Sequence, residues 1–429
     1  MSKKILILTM VLCTALVLVL MPIVVACAAP KAKPGQVLKV GMMNPTTGPA
    51  AEKGSVMTHA NLDAIKYIND ELGGAGGYPI EVLALDSRYD ATQAVVIVKR
   101  FMDEGCLLFT TASSKEMSAA MTSANEAGFP GISCFSAPSL YRPPKHIYGQ
   151  TPDYGDDALA FANFYMKNIW KGQGKPKFAL HLLNNPTGYG ARDAFRAKAE
   201  ELGIEIVPSL EKPFEHTATT TSEMDSVTNI KSMNPDVIYI SSTPAPTAVI
   251  LKNLYATYGK EAYQKLTIGC AHASFTKALI DLAGADVVEG VYGTFPTVLW
   301  GDDVPGMARM TEYCQKLHPA NYGNMDYITS WAQSLIVAEI LKLAVKNAGY
   351  DVLAKGDAAA WKAVETQGFH KLNNYNVGGL QGPVSYTPGD NRLTKYNRIY
   401  QIKGGKIGSP SDWIEAPLVK YEEYPWFGK

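Results

Sequence analysis

Residues 37–86, VLKVGMMNPTTGPAAEKGSVMTHANLDAIKYINDELGGAGGYPIEVLALD, decide the fold. The apolar run at 37–43 reads as a strand. Within 55–72, Ala60, Ala64, Ile65, Ile68 and Leu72 recur at helical spacing on one face. Gly73-Gly74-Ala75-Gly76-Gly77 ends that helix and turns the chain into a second strand at 80–86. Strand, helix and strand make a βαβ unit with parallel strands and a right-handed crossover. The alternation continues outward, with helices expected at 91–104 and 115–127 and strands at 106–111 and 131–135. It breaks at 136–153 (SAPSLYRPPKHIYGQTPD), a stretch rich in Pro and Tyr that reads as a crossing between lobes. A second series follows, with strands expected at 178–183, 205–208, 237–241, 266–270 and 290–294 between helices at 154–170, 189–202, 223–233, 245–258 and 276–283. Beyond it the chain reads as mainly helical at 304–317, 327–347 and 357–366, then as short strands near 384–386 and 397–402. An aromatic tail at 413–427, expected to pack on the second lobe, closes an α/β chain of two similar halves.

The 429 residues suffice for two or three domains, and 47% hydrophobic with 19% charged residues is a globular composition. Forty basic side chains balance forty acidic ones, which argues against a nucleic-acid partner. The charge is unevenly placed. Lys3 and Lys4 precede an uncharged run over 5–29, the pattern of an export signal. Its end, Val24-Val25-Ala26-Cys27, resembles a bacterial lipobox, so cleavage before Cys27 with lipidation of that cysteine ranks first. Cleavage at Ala26-Cys27-Ala28 to a soluble protein ranks second. Retention as an anchor ranks third, since the run exceeds ~20 residues. All three place the rest of the chain outside the cytoplasm, in the periplasm or on the outer face of the membrane. Residues 30–36 (PKAKPGQ) read as a short tether. Four cysteines lie beyond the leader, Cys106, Cys134, Cys270 and Cys314. An even count permits disulfides in an exported chain, but poor register between Cys106 and Cys134 favours buried thiols.

In open α/β sheets ligands bind beyond the carboxyl ends of the strands, so the exit loops matter most. The first runs from Gly41 to Gly54 straight into a helix. The third carries Thr110-Thr111-Ala112-Ser113-Ser114-Lys115, and the fourth Ser133-Cys134-Phe135-Ser136-Ala137-Pro138. Each hydroxyl alone reads equally well as a helix cap. Two hydroxyl clusters on adjacent strand ends form an acceptor for a small anion.

At this point the chain resembles the branched-chain amino-acid type of ABC-transporter substrate-binding proteins. The pattern N-P-x-T-G-P-A-A-x-x-G spans Asn44 to Gly54, and Asp86-Ser87-Arg88-Tyr89-Asp90-Ala91 is close to the family's D-D-x-x-D-P. Tyr189-Gly190, Leu282-Ala283-Gly284 and Val288-Glu289-Gly290-Val291-Tyr292 match later segments in order. The resemblance covers about 37–402. It implies the type I periplasmic binding fold: two doubly wound α/β lobes joined by three crossings, the ligand cleft between them. Lobe one is expected at 37–153 plus 292–393, and lobe two at 154–291 plus 394–429. It implies no catalysis and no cofactor, but hinged closure on a small ligand and delivery to an ABC permease in the membrane, with a monomer as the default state.

The resemblance also implies the site. Thr111, Ala112, Ser113, Ser114 and Ser136 stand at the family's carboxylate-holding positions, and Tyr189 at its second-lobe tyrosine. Lys53 stands where the family usually has an aromatic, and Thr243 near another aromatic position. Phe135, Phe295 and Tyr327 are candidate wall residues. One departure bears on the ligand. The family's ammonium-gripping acid is missing from Ile268-Gly269-Cys270-Ala271-His272-Ala273. An ammonium without a counter-charge in a closed cleft would cost on the order of several kcal/mol. The expected ligand is therefore an aromatic or aliphatic carboxylate, or an amide, with His272 and Lys53 in hydrogen-bonding or charge roles. A branched-chain amino acid is the alternative, and for His272 so is a plain solvent-facing loop position.

Other chemistry finds less support. Ser274-Phe275-Thr276-Lys277 fits the S-x-x-K of penicillin-recognising enzymes but lacks the S-D-N and K-T-G partners. No G-x-S-x-G, phosphate-binding loop, H-E-x-x-H or paired C-x-x-C occurs, so no metal site is expected. A sensor module of the same fold is the third class, and no signalling domain follows the two halves.

Overall fold

The structure is a computed structural model that describes residues 32–408 and 411–427. The leader and Cys27 lie outside the described residues. The first half folds as β1 (Leu38–Asn44), α1 (Ala51–Glu71), β2 (Ile80–Asp86), α2 (Ala91–Asp103), β3 (Phe109–Thr111), α3 (Ser114–Ala127), β4 (Gly131–Ser133) and β5 (Ile147–Gly149). Its five strands are all parallel, in the order β2-β1-β3-β4-β5. α1 is the helix expected from its apolar face, which buries Ala60, Ala64, Ile65 and Ile68. β3 and β4 are shorter than expected. The chain at 106–108 is buried but pairs only at its edge, and ladder bonding starts at Phe109.

The second half repeats the design. It comprises α4 (Tyr154–Asn168), β6 (Lys177–Leu183), α5 (Pro186–Lys198), β7 (Glu205–Val207), β8 (Phe214–His216), α6 (Met224–Met233), β9 (Val237–Ser241), α7 (Pro244–Tyr258), β10 (Thr267–Cys270), α8 (Lys277–Ala283) and β11 (Tyr292–Phe295). β7-β6-β9-β10-β11 run parallel in that order, so β6 holds the place that β1 holds in the first sheet. β6 and β9 are buried along nearly their whole length, as parallel strands covered on both faces must be. β11 belongs to this second sheet, so the chain leaves it just after Phe295 rather than at 291.

Three crossings join the lobes. The chain passes from β5 into α4. It returns after β11 through α9 (Met307–Leu317), α10 (Met325–Ala348) and α11 (Ala358–Gln367) to pack on α1. It passes back into β12 (Tyr396–Lys403), which pairs antiparallel with β11, β13 (Lys406–Gly408) and β14 (Ile414–Glu415). α10 is long and apolar enough to cross a membrane, yet most of it is buried inside the protein as a core helix. The aromatic tail packs on the second lobe: Tyr421 is buried, and Trp426 lies under the Arg196 guanidinium of α5 at 4.9 Å. Cys106, Cys134, Cys270 and Cys314 are free and buried.

First and third crossings lie side by side, with Gly149 N–H donating to Asn391 O (2.9 Å) and Leu393 N–H to Gly149 O (2.7 Å). Arg392 braces them. Its guanidinium donates to Asp156 of α4 (2.8 Å) and to Asp390 (2.9 Å), and Arg142 donates to Asp390 (3.0 Å). All of these side chains are buried or nearly so. Arg392→Ala strands the Asp156 carboxylate in the interior. It should cost about 3–5 kcal/mol in urea unfolding, against under about 1 kcal/mol for an exposed ion-pair residue such as Lys66.

Candidate functional site

In a doubly wound sheet of order 2-1-3-4-5 the switch point lies where the chain runs outward to either side of its first strand, here between β1 and β3. The second sheet has its own switch point between β6 and β9. The two face each other. Lobe one brings Pro45, Ala50, Lys53 and Gly54 after β1, Tyr89 after β2, Ala112, Ser113 and Ser114 after β3, and Phe135 after β4. Lobe two brings Tyr154, Thr187, Thr243 and Ala273. Together they enclose about 20 Å³, the space of one water, so a larger ligand requires the lobes to part. A larger groove of about 850 Å³ along Asn234, Pro235 and Lys260 sits at the amino ends of β9 and β10, away from every exit loop.

The loops are fixed by their own sequence. Gly54 has no alternative: a Cβ there would sit 2.0 Å from Pro45 O, so the final glycine of the quoted pattern lets α1 close on the β1 exit. Asn44 Oδ1 accepts from Ala112 N–H (2.9 Å) and ties the first and third exits together. Ser113 caps α3, and Asn185 caps α5 by accepting from Thr187 N–H at 2.8 Å. α1 and α7 begin at Ala50 and Thr243 with no side-chain cap. Four helix starts, carrying partial positive charge, thus meet around the cavity. The Glu52 carboxylate reaches from lobe one to the Ala245 N–H at the start of α7, and burial pushes its pKa up.

Three further contacts cross the cleft. The hydroxyls of Ser114 and Thr187 lie 3.1 Å apart, Asn185 Nδ2 donates to Tyr89 OH (3.2 Å), and the rings of Phe135 and His272 are 4.5 Å apart. Beneath them is a buried charged group. Lys53 Nζ sits 4.1 Å above the Phe135 ring and donates to Asp326 Oδ1 at the start of α10. Asp326 is fully buried, and desolvation raises its pKa against the pull of Lys53. Behind Phe135, His272 Nδ1 lies 2.6 Å from Asp157 Oδ2, and Asp157 also accepts from His272 N–H and Asn397 Nδ2 (both 3.0 Å).

Of the residues expected from sequence, Lys53, Ala112, Ser113, Ser114, Phe135 and Thr243 come together around the cavity. Thr111 lies one layer behind, where its Oγ1 accepts from Ser113 N–H (3.2 Å). Ser136 is buried at the first crossing, its carbonyl accepting from Tyr154 N–H (3.0 Å). His272 is fully buried, not a solvent-facing loop residue. Phe295 lies 6.5 Å from both the Phe135 and His272 rings. Tyr189 points away, half-buried, with the Arg192 guanidinium 4.5 Å over its ring. Tyr327 turns into lobe one and donates to Asp63 Oδ2 (2.7 Å). Sequence reasoning missed Tyr89, Tyr154, Thr187, Asp157 and Asp326. Ser274 and Lys277 do not pair: Ser274 Oγ donates to Ala271 O (3.2 Å), and Lys277 binds Asp281 (2.5 Å) at the surface.

A family model described as periplasmic binding protein matches residues 37–406. No curated protein matches the chain. Among solved structures, a branched-chain amino-acid ABC transporter protein from Thermus thermophilus with bound valine is similar at TM-score 0.76 and 18% identity, covering 90% of this chain and 98% of that one. A fatty acid ABC transporter substrate-binding protein from Thermomonospora curvata is similar at TM-score 0.75 and 19% identity, covering 92% and 96%. A leucine-binding protein from Thermotoga maritima is similar at TM-score 0.71 and 19% identity, covering 88% and 99%. These likenesses show the type I periplasmic binding fold.

One buried group behind the site makes stability depend on pH. Glu116, in the first turn of α3, is fully buried, and burial pushes its pKa from 4.5 to about 7 against the pull of the Ser87 and Ser113 hydroxyls. Its folded pKa lies above the unfolded one, so the stability it contributes is complete below pH ~4.5 and lost as pH rises through ~7. Between pH 5 and 8 the parent protein should lose roughly 3 kcal/mol more in urea unfolding than Glu116→Gln does. Equal losses would mean that Glu116 titrates normally.

Proposed function

The chain belongs to the periplasmic binding-protein family, and from that premise we propose that it is the extracytoplasmic, probe-and-deliver component of an ABC importer whose ligand is a small aromatic or aliphatic carboxylate without an α-ammonium. Family and fold relatives are binding proteins rather than enzymes. The observation that carries the ligand class is the charge placement. Among the residues lining the cavity Lys53 alone is charged, and four helix starts point the same sign of potential into the space. Of the buried acids nearby, Asp326 is matched by Lys53 and Asp157 by the His272 ring, its N–H and Asn397, while burial raises the pKa of Glu52 and Glu116 and so favours their neutral forms. A ligand ammonium would meet the Lys53 ammonium and the positive ends of the helices, whereas a ligand carboxylate is attracted by both.

The walls suit an apolar ligand body, since Phe135, Tyr89, Tyr154, Pro45 and Ala273 surround the charged spot. The neighbour titled as a fatty acid protein supports an amine-free acid within this fold, and the valine-bound and leucine-binding neighbours favour the second reading, a branched-chain amino acid. Delivery to a membrane permease, action as a monomer and anchoring through Cys27 complete the proposal. Calorimetric titration of the mature protein with benzoate, octanoate, leucine and valine separates the readings. An acid should bind while both amino acids are inert, and Lys53→Met should weaken the acid by about 100-fold. Tight leucine or valine binding with both acids inert would sink the proposal.

A further inference from the structure

We propose that this protein takes up one proton with each acid it binds, and that Asp326 is the group that receives it. The inference rests on the carboxylate reading above. Lys53 is the cavity's single charged side chain, it is 6% exposed, and its ammonium is already committed to a carboxylate that is 0% exposed. A ligand carboxylate closed into the same space must be met by that same ammonium. Two carboxylates would then share one cation, leaving a negative charge without a counter-charge where water is excluded.

The protein can remove that charge at Asp326. Its Oδ2 is buried without a hydrogen-bond partner, as is the Ser330 hydroxyl one turn further along the same face of α10. A proton placed on Oδ2 therefore displaces no hydrogen bond that the carboxylate now makes. The exchange balances. The ligand carboxylate takes the place of Asp326 on Lys53, the displaced carboxylate forms an O–H bond with a proton from solvent, and no other bond is made or broken. Burial already raises the Asp326 pKa with Lys53 as the main opposing influence, so weakening that contact raises it further.

The charged and titratable groups facing Asp326 are Lys53 and Glu52 from α1, Cys134 from the β4 exit and His272 from the β10 exit. Glu52 is turned to the start of α7. Burial raises the Cys134 thiol well above its ordinary value, so it stays neutral. His272 is the rival acceptor, its Nδ1 lying 2.6 Å from Asp157 Oδ2 and its Nε2 buried without a partner, and Asp326→Asn separates the two.

Proton uptake makes the acid bind more weakly as pH rises. The test is calorimetry with benzoate and octanoate, both fully ionised above pH 6, in phosphate and in Tris, where the difference in apparent enthalpy counts the protons. Uptake approaching one proton per ligand near pH 6 is expected, with Kd rising by up to about tenfold per pH unit. Asp326→Asn should still bind acid, with no uptake and a flat Kd. Binding by the parent protein without uptake overturns the inference and leaves the carboxylate reading intact, and this arm needs no variant to fold. Uptake undiminished in Asp326→Asn overturns the assignment to Asp326. Failure of both acids to bind removes the carboxylate reading, and this inference with it.

Discussion

A lysine ammonium buried between two lobes must be matched on the spot, and the Lys53–Asp326 pair is the match around which this cleft is organised. Lys53 comes from the first helix and Asp326 from the last long one, so the contact exists only after the chain has crossed to lobe two and returned. Phe135 lies under the ammonium and His272 behind Phe135, which carries the same stack across the cleft to Asp157. Breaking a buried pair of this kind by removing one partner typically costs several kcal/mol, so both groups are constrained together.

The topology explains why so many separate segments reach one spot. Each lobe is wound outward from its first strand, β1 in one and β6 in the other, and each winding leaves a crevice beside that strand. Because the crossings at 149–154 and 391–393 are hydrogen-bonded to each other and clamped by Arg392, the two crevices open toward one another. Polar contacts such as Ser114 with Thr187 then span the gap with short side chains. A cavity of about 20 Å³ bounded by such contacts means that ligand entry and lobe movement are one event.

Much of this was legible in the sequence because it is local. The apolar face of α1, the glycine stop after it and the hydroxyls after β3 and β4 announce a βαβ sheet with ligand loops at known ends. Six of the eleven expected site residues line the cavity, and all six lie on strand exits or in the helix turns that follow them. The misses are those whose position depends on long-range packing. Asp326 lies 273 residues from Lys53 with no signal of its own beyond the helix start at Asn324, and its neighbour Tyr327 drew attention but turns the other way to Asp63. Tyr189 fits the family pattern, yet Thr187, two residues earlier, is the side chain that enters the cavity. His272 is expected as a ligand contact or, failing that, as a solvent-facing loop residue, whereas Phe135 and Tyr154 close over it from sides that no spacing rule gives.

The most direct measurement is a crystal structure of the protein carrying the ligand it retains from its native host. The account predicts a carboxylate oxygen within hydrogen-bond distance of Lys53 Nζ, an apolar body against Phe135 and Tyr154, and no ammonium on the molecule. An α-amino acid with its ammonium on Asp326 or Asp157 would contradict it.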